Sequence, residues 1–154
     1  MLDKPKIVQT EAQLTAVIRL TIPRSEIRKV MGPAMGEVMA AVAAQGIAPA
    51  GPMFSYHFRI DPDTFDFEVG VPVKKPVSPA GRVKPGELRA AKVARTVYHG
   101  SYEGLGAAWG EFGAWIAAQK LTPTENLWEC YLAGPESSPD PATWRTELSR
   151  PLVG

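Results

Sequence analysis

The stretch Gly36–Pro49, GEVMAAVAAQGIAP, returns 74 positions later as Gly110–Pro123, GEFGAWIAAQKLTP, with Gly, Glu, three Ala, Gln and Pro in identical places. Carried on at the same offset, Phe54-Ser55-Tyr56-His57 lies over Trp128-Glu129-Cys130-Tyr131. Farther on, Thr64–Val73 (TFDFEVGVPV) lies over Thr143–Leu152 (TWRTELSRPL), now 79 positions apart. The extra five residues fit a longer hairpin loop, GPESSPDPA, in the second half. A repeat fixes the architecture before any single element does, because each copy must supply the same supersecondary unit. In a chain of 154 residues it leaves room for one domain made of two halves.

Each half spells strand, helix, strand, strand. Ile7–Ile22 reads as one long strand. Ile27, Val30, Met31, Ala34, Met35, Val38, Met39 and Val42 then recur at the i, i+3, i+4, i+7 spacing of one helical face. Ser25 is placed to cap that helix and Gly46 to end it. Gly32-Pro33 predicts a kink, or a helix that starts at Pro33. Met53–Ile60 and Phe65–Val73 follow as strands around the turn Asp61-Pro62-Asp63. In the second half Leu88–His99 is the first strand. Tyr102, Leu105, Trp109, Phe112 and Ile116 trace the helix, and Leu127–Ala133 and Trp144–Leu152 close the unit. The fold class expected is therefore α+β: duplicated strand-helix-strand-strand units related by a pseudo-two-fold axis, an antiparallel sheet and two main helices. The half-repeats run over about 6–75 and 86–153, with a mobile linker at 76–86. A ligand would occupy the cleft between the halves.

Seventeen basic against 16 acidic side chains leave a net charge of +1, without the basic stripe that nucleic acid selects. No apolar run of about 18 residues is present to span a membrane, and MLDKPKIVQTEAQL lacks the apolar core of a signal peptide. A lone cysteine, Cys130, suits a reducing compartment. A cytoplasmic location is expected.

Chemistry-bearing motifs are sparse. His57 and His99 stand far apart and Cys130 has no CxxC partner, so no metal and no cofactor is expected. Gly100, Gly104, Gly106, Gly110 and Gly113 form no phosphate-binding motif. They serve either close helix packing or space for a ligand beside Trp109 and Trp115. Ser101, in HGSYEG, is not a nucleophile elbow and reads as a helix cap, and Cys130 reads as a buried structural thiol. The informative segment is LWECYLAG. Alternation puts Glu129 and Tyr131 on one face of the strand and Trp128 and Cys130 on the other. A carboxylate inside an apolar strand is expensive to bury without a partner, and among aromatic rings it is suited to recognising an apolar cation. Desolvation would raise its pKa and fit it for general acid or base work. Glu68 and Glu147 take equivalent places in the two halves and are second candidates.

DFEVGVPV (Asp66–Val73), VYHGSYEGL (Val97–Leu105), NLWECYL (Asn126–Leu132) and the TEL…PL ending (Thr146–Leu152) together resemble the GyrI-like small-molecule-binding domain. That family is related to the effector-binding domains of multidrug-responsive transcription regulators and to the SOUL haem-binding proteins. The resemblance implies an aromatic pocket with an acid at its base, which binds bulky, planar, often cationic compounds. Glu129 would be the pocket acid, with Tyr102 and Tyr131 as ring or hydroxyl contacts. Trp109, Trp115, Trp128, Phe54, Tyr56, His57 and Glu68 are further candidate ligand contacts. The implied alternative is a hydrolase that opens cyclopropane-bearing DNA alkylators. Glu129 would then be the general base and Tyr102 or Tyr98 the proton donor. Neither histidine suits a SOUL-type haem role, no helix-turn-helix segment accompanies the domain, and a gyrase-contacting inhibitor is a lesser alternative. Direct nucleic-acid binding is not expected, and a protein partner stays open.

Overall fold

The structure is a computed structural model that describes residues 2–59, 61–135 and 137–153; Ile60 of the second expected strand and Glu136 of the long hairpin loop lie outside them. The fold is α+β, with eight antiparallel strands and two main helices. They divide into two compact units, one over Glu11–Ala90 and the other over Met1–Thr10 with Ala91–Gly154.

The division cuts through both of the long strands that the sequence predicts. Residues 7–22 form two strands, β1 (Lys6–Gln9) and β2 (Gln13–Pro23), which belong to different units. Of the expected strand Leu88–His99, Leu88 ends a separate strand, β5 (Lys84–Leu88), and the rest gives β6 (Lys92–His99). β1 pairs with β6, from Lys6 opposite Arg95 to Gln9 opposite Lys92, whereas β5 pairs with β2. Each half of the sequence therefore gives its first short strand to the unit built on the other half. A two-way bond fixes the exchange point: the Thr10 hydroxyl donates to the Ala91 carbonyl at 3.1 Å and accepts from the Ala91 amide at 3.0 Å.

In the first unit α1 (Ile27–Ala44) follows β2, then come β3 (Phe54–His57) and β4 (Thr64–Pro72), in sheet order β3-β4-β2-β5. Ala34, Val38 and Val42 of α1 pack on Ala16, Ile18, Phe67, Val69 and Val71. The helix does not start at Pro33 but continues through it. The proline removes only the bond to the Lys29 carbonyl, on the exposed side, while burial of the apolar row holds the two turns together. Ser25 does not cap it. That residue lies within a 3-10 turn, Arg24–Glu26, and Glu26 takes the cap position without a side-chain bond. Within the expected linker, Val77 and Val83 are buried in this core and β5 begins at Lys84.

In the second unit α2 (Leu105–Ala118) follows β6, then come β7 (Leu127–Ala133) and β8 (Arg145–Pro151), in sheet order β1-β6-β8-β7. Its buried row is Ala108, Phe112 and Ile116, packed on Ala94, Tyr98, Leu148 and Leu152. These three positions lie 74 residues after Ala34, Val38 and Val42. Both helices also stop alike. Gly46 N–H donates to the Ala43 carbonyl at 3.0 Å and Ile47 N–H to Val42 at 3.1 Å, the paired bonds of a Schellman ending. Lys120 N–H to Ala117 (2.9 Å) and Leu121 N–H to Ile116 (3.3 Å) repeat them.

The pivot must be left-handed, at φ 66° for Gly46 and 59° for Lys120, and only the second pays for a Cβ there. Lys120→Gly should therefore stabilise the protein by about 0.5–1 kcal/mol and Gly46→Ala destabilise it by about 1 kcal/mol, read from urea midpoints.

Candidate functional site

Glu129 is the second residue past the start of β7, with Tyr131 beside it on the same face. That face looks toward α2: the Trp109 indole N–H donates to Glu129 Oε2 at 2.6 Å. The Tyr131 hydroxyl donates to Oε1 at 2.9 Å, so both carboxyl oxygens are held by neutral donors. No ion pair reaches Glu129 among the described residues. Burial pushes its pKa above the ordinary carboxylate range, and the two hydrogen bonds offset this only in part.

Two more rings extend the group. Tyr102 meets Tyr131 edge-on at 5.9 Å between centroids and lies tilted against Trp144 at 5.1 Å. Tyr102 stands on a 3-10 turn, Tyr102–Gly104, whose geometry depends on Tyr98. The Tyr98 hydroxyl donates to the Ser101 carbonyl at 2.9 Å, and its ring fills the space that a Cβ at Gly100 or Gly104 would need. Gly100 also holds φ at 143°, open to glycine alone. Ser101 sits at the cap position of that turn but makes no side-chain cap bond, contrary to expectation. Trp144 is positioned by its indole N–H on the Ser138 carbonyl at 2.9 Å, after a turn in which Asp140 accepts from the Ala142 amide at 3.0 Å.

Of the expected contacts, the structure thus joins Glu129, Tyr131, Tyr102 and Trp109. Trp115 packs farther along α2 against Phe112, at 6.4 Å between rings. Trp128 is buried on the other face of β7, where the Cys130 thiol is pushed up to about 12, by burial first and then by the charges of Glu147 and Glu129. It stays a thiol at neutral pH. Glu147 is on that face too, within 3.4 Å of Arg95. Phe54, Tyr56, His57 and Glu68 belong to the first unit. There Phe54 is buried over Gly70, Tyr56 pairs opposite Glu68, and burial raises the Glu68 pKa against the pull of Lys84 and Arg19. His57 stacks on Phe67 at 5.0 Å with its Nε2 3.2 Å from Ser55 Oγ. Of the five clustered glycines, Gly100 and Gly104 are close-packed on Tyr98, whereas Gly106, Gly110 and Gly113 have nothing within 4 Å of a would-be Cβ. No group of three potential metal ligands occurs, and no helix is long and apolar enough to cross a membrane, among the described residues.

Sequence reasoning missed Trp144 and Thr146. The only signal available was the alternation of TWRTEL, which places Thr146 on the face of Leu148.

The GyrI-like small molecule binding domain profile matches residues 3–153. The chain belongs to that family. Solved structures agree on the fold. The C-terminal domain of EcmrR is similar at 18% identity and TM-score 0.85, covering 97% of each chain. The EcmrR–DNA complex gives 20% identity and TM-score 0.83 over 97% of this chain, which spans only 57% of the EcmrR chain there. SAV2435 bound to tetraphenylphosphonium is similar at 13% identity and TM-score 0.72, with 99% and 95% of the two chains covered. A hydrolase from Listeria innocua is similar at 12% identity and TM-score 0.66, with 97% and 92% covered. No curated protein matches the sequence.

His57 offers a test of the electrostatics around these strands. Burial first, and the Arg24 charge second, lower its pKa from 6.5 to about 4. The neutral ring's contribution is complete above pH 6.5 and is lost as pH falls through 4, because the unfolded chain takes up the proton first. His57→Phe should flatten the loss of stability across that window, on the order of 3 kcal/mol in the parent, as measured by denaturation at several pH values.

Proposed function

We propose that this GyrI-like domain binds bulky aromatic cations, with the Glu129 carboxylate as counter-charge and Tyr102, Tyr131, Trp109 and Trp144 as the ring surface. The observation that carries the reading is a desolvated carboxyl held, among the described residues, by the neutral Trp109 indole and Tyr131 hydroxyl. Such a group has no resident cation, and an apolar cation restores the charge balance at little dehydration cost to itself. The neutral donors orient the carboxylate without cancelling its charge. The complex of SAV2435 with tetraphenylphosphonium supports the same ligand class.

The test is titration with tetraphenylphosphonium and with triphenylphosphine oxide, a neutral compound of related shape, following tryptophan fluorescence. Glu129→Gln should weaken the cation at least about tenfold and the neutral compound little, since a charge-assisted contact is worth roughly 1.5–3 kcal/mol. Cation affinity should also rise with pH through a range above the ordinary carboxylate range, because protonated Glu129 offers no charge. Equal losses for both compounds would remove the charge-pairing role.

A second reading, as a hydrolase of cyclopropane-bearing electrophiles, draws on the phenol–carboxyl pair of Tyr131 and Glu129. A carboxylate with a raised pKa is a stronger base toward water near neutral pH, and Tyr102, an exposed residue, would donate a proton to the leaving group that takes the electrons of the broken ring bond. Multiple turnovers abolished by Glu129→Gln, with binding retained, would favour this reading. Capture of one equivalent without turnover would exclude it.

A further inference from the structure

Thr146 is fully buried, yet its hydroxyl has no hydrogen-bond partner among the described residues. Native interiors seldom leave a buried hydroxyl unpaired, and the free energy forgone is comparable to a whole hydrogen bond. Its position shows what it can serve. Thr146 lies directly opposite Tyr98 on β6 and Tyr131 on β7, and its strand also carries Leu148 into the α2 core. It therefore shares the face of Glu129 and Tyr131. Neither flanking phenol satisfies it. The Tyr98 hydroxyl donates to the Ser101 carbonyl and the Tyr131 hydroxyl to Glu129, and neither phenol oxygen accepts from Thr146.

A valine would fill the same volume with the same β-branched fit to a central strand and no unpaired atom. Among the described residues the Thr146 hydroxyl is thus a buried polar group with an unused donor on the strand face that carries Glu129 and Tyr131. Its cross-strand neighbour Tyr131 meets Tyr102 edge-on, and Tyr102 rides on a glycine-flanked turn.

We propose that Thr146 is a specificity-determining contact of the Glu129 site, whose hydroxyl donates to an acceptor on the ligand once the Tyr102 and Tyr131 rings part. The inference rests on the cation-binding reading above and narrows it. The preferred ligands are aromatic cations that also carry a carbonyl, ether or imine acceptor, not cations built of hydrocarbon alone.

Two cations that differ in one group provide the test: tetraphenylphosphonium, which has no acceptor, and its mono-acetyl derivatives, substituted at the meta or para position. Calorimetry on the wild type should show at least one ketone bound more tightly than the parent cation. Thr146→Val should erase that preference, a loss of about five- to tenfold for the ketone, and leave tetraphenylphosphonium unchanged; Thr146→Ser should keep it. Thr146→Val should unfold at no lower urea concentration than the wild type, since it removes an unpaired group. Equal affinities for ketones and parent in the wild type would overturn the proposal, as would a Val variant that loses both alike. A clear loss of stability in Thr146→Val would overturn it too, by showing that the hydroxyl serves a buried water within the fold. If the wild type binds none of these cations, the parent reading fails and takes this one with it.

Discussion

The contact between Trp109 and Glu129 joins the helix of the second unit to strand β7 through a carboxyl group that burial would prefer to see neutral. The proposed function rests on that conflict. Hydrogen bonds from Trp109 and Tyr131 hold the group in place, while desolvation keeps its charge expensive. The site is therefore ordered without being electrostatically satisfied, a state suited to a ligand that brings positive charge and little hydration.

The rest of the second unit can be seen as support for that group. Phe112 and Ile116 seat α2 on Leu148 and Leu152, which fixes the height of Trp109 above β7. Tyr98, pinned to the Ser101 carbonyl and pressed against two glycines, shapes the turn that presents Tyr102. A bulge between Tyr131 and Ala133 marks the end of regular pairing just beyond the site. In the first unit, the residues 74 positions before Glu129 and Tyr131 are Ser55 and His57. They contact each other at 3.2 Å, and the histidine is stacked on Phe67. The equivalent place there is filled by packing. The acid is a feature of one half only.

Much of this was legible in the sequence. The class of fold, both helices and the pairing of Glu129 with Tyr131 on one strand face follow from periodicity and from the recurring blocks. What was not legible is non-local. No local pattern distinguishes one strand over Ile7–Ile22 from two that go to different units, since the decision lies in the bonds between Thr10 and Ala91. Nor does Pro33 break its helix, because burial of Ala34, Val38 and Val42 outweighs one missing hydrogen bond. Phe54, Tyr56 and His57, also expected as ligand contacts, belong to the first unit, where His57 stacks on Phe67. Trp144 and Thr146 were missed because their neighbours are set by strand register and by the Asp140 turn, neither of which periodicity reveals.

The central claim is that Glu129 is a strained acid relieved by a cation. Carboxyl carbon-13 NMR of the wild type, assigned against Glu129→Gln, measures this directly by pH titration with and without saturating tetraphenylphosphonium. The account predicts a Glu129 midpoint above the ordinary glutamate value of about 4.3 in the free protein, moving down when the cation binds. A midpoint at the ordinary value, unmoved by the cation, would contradict it.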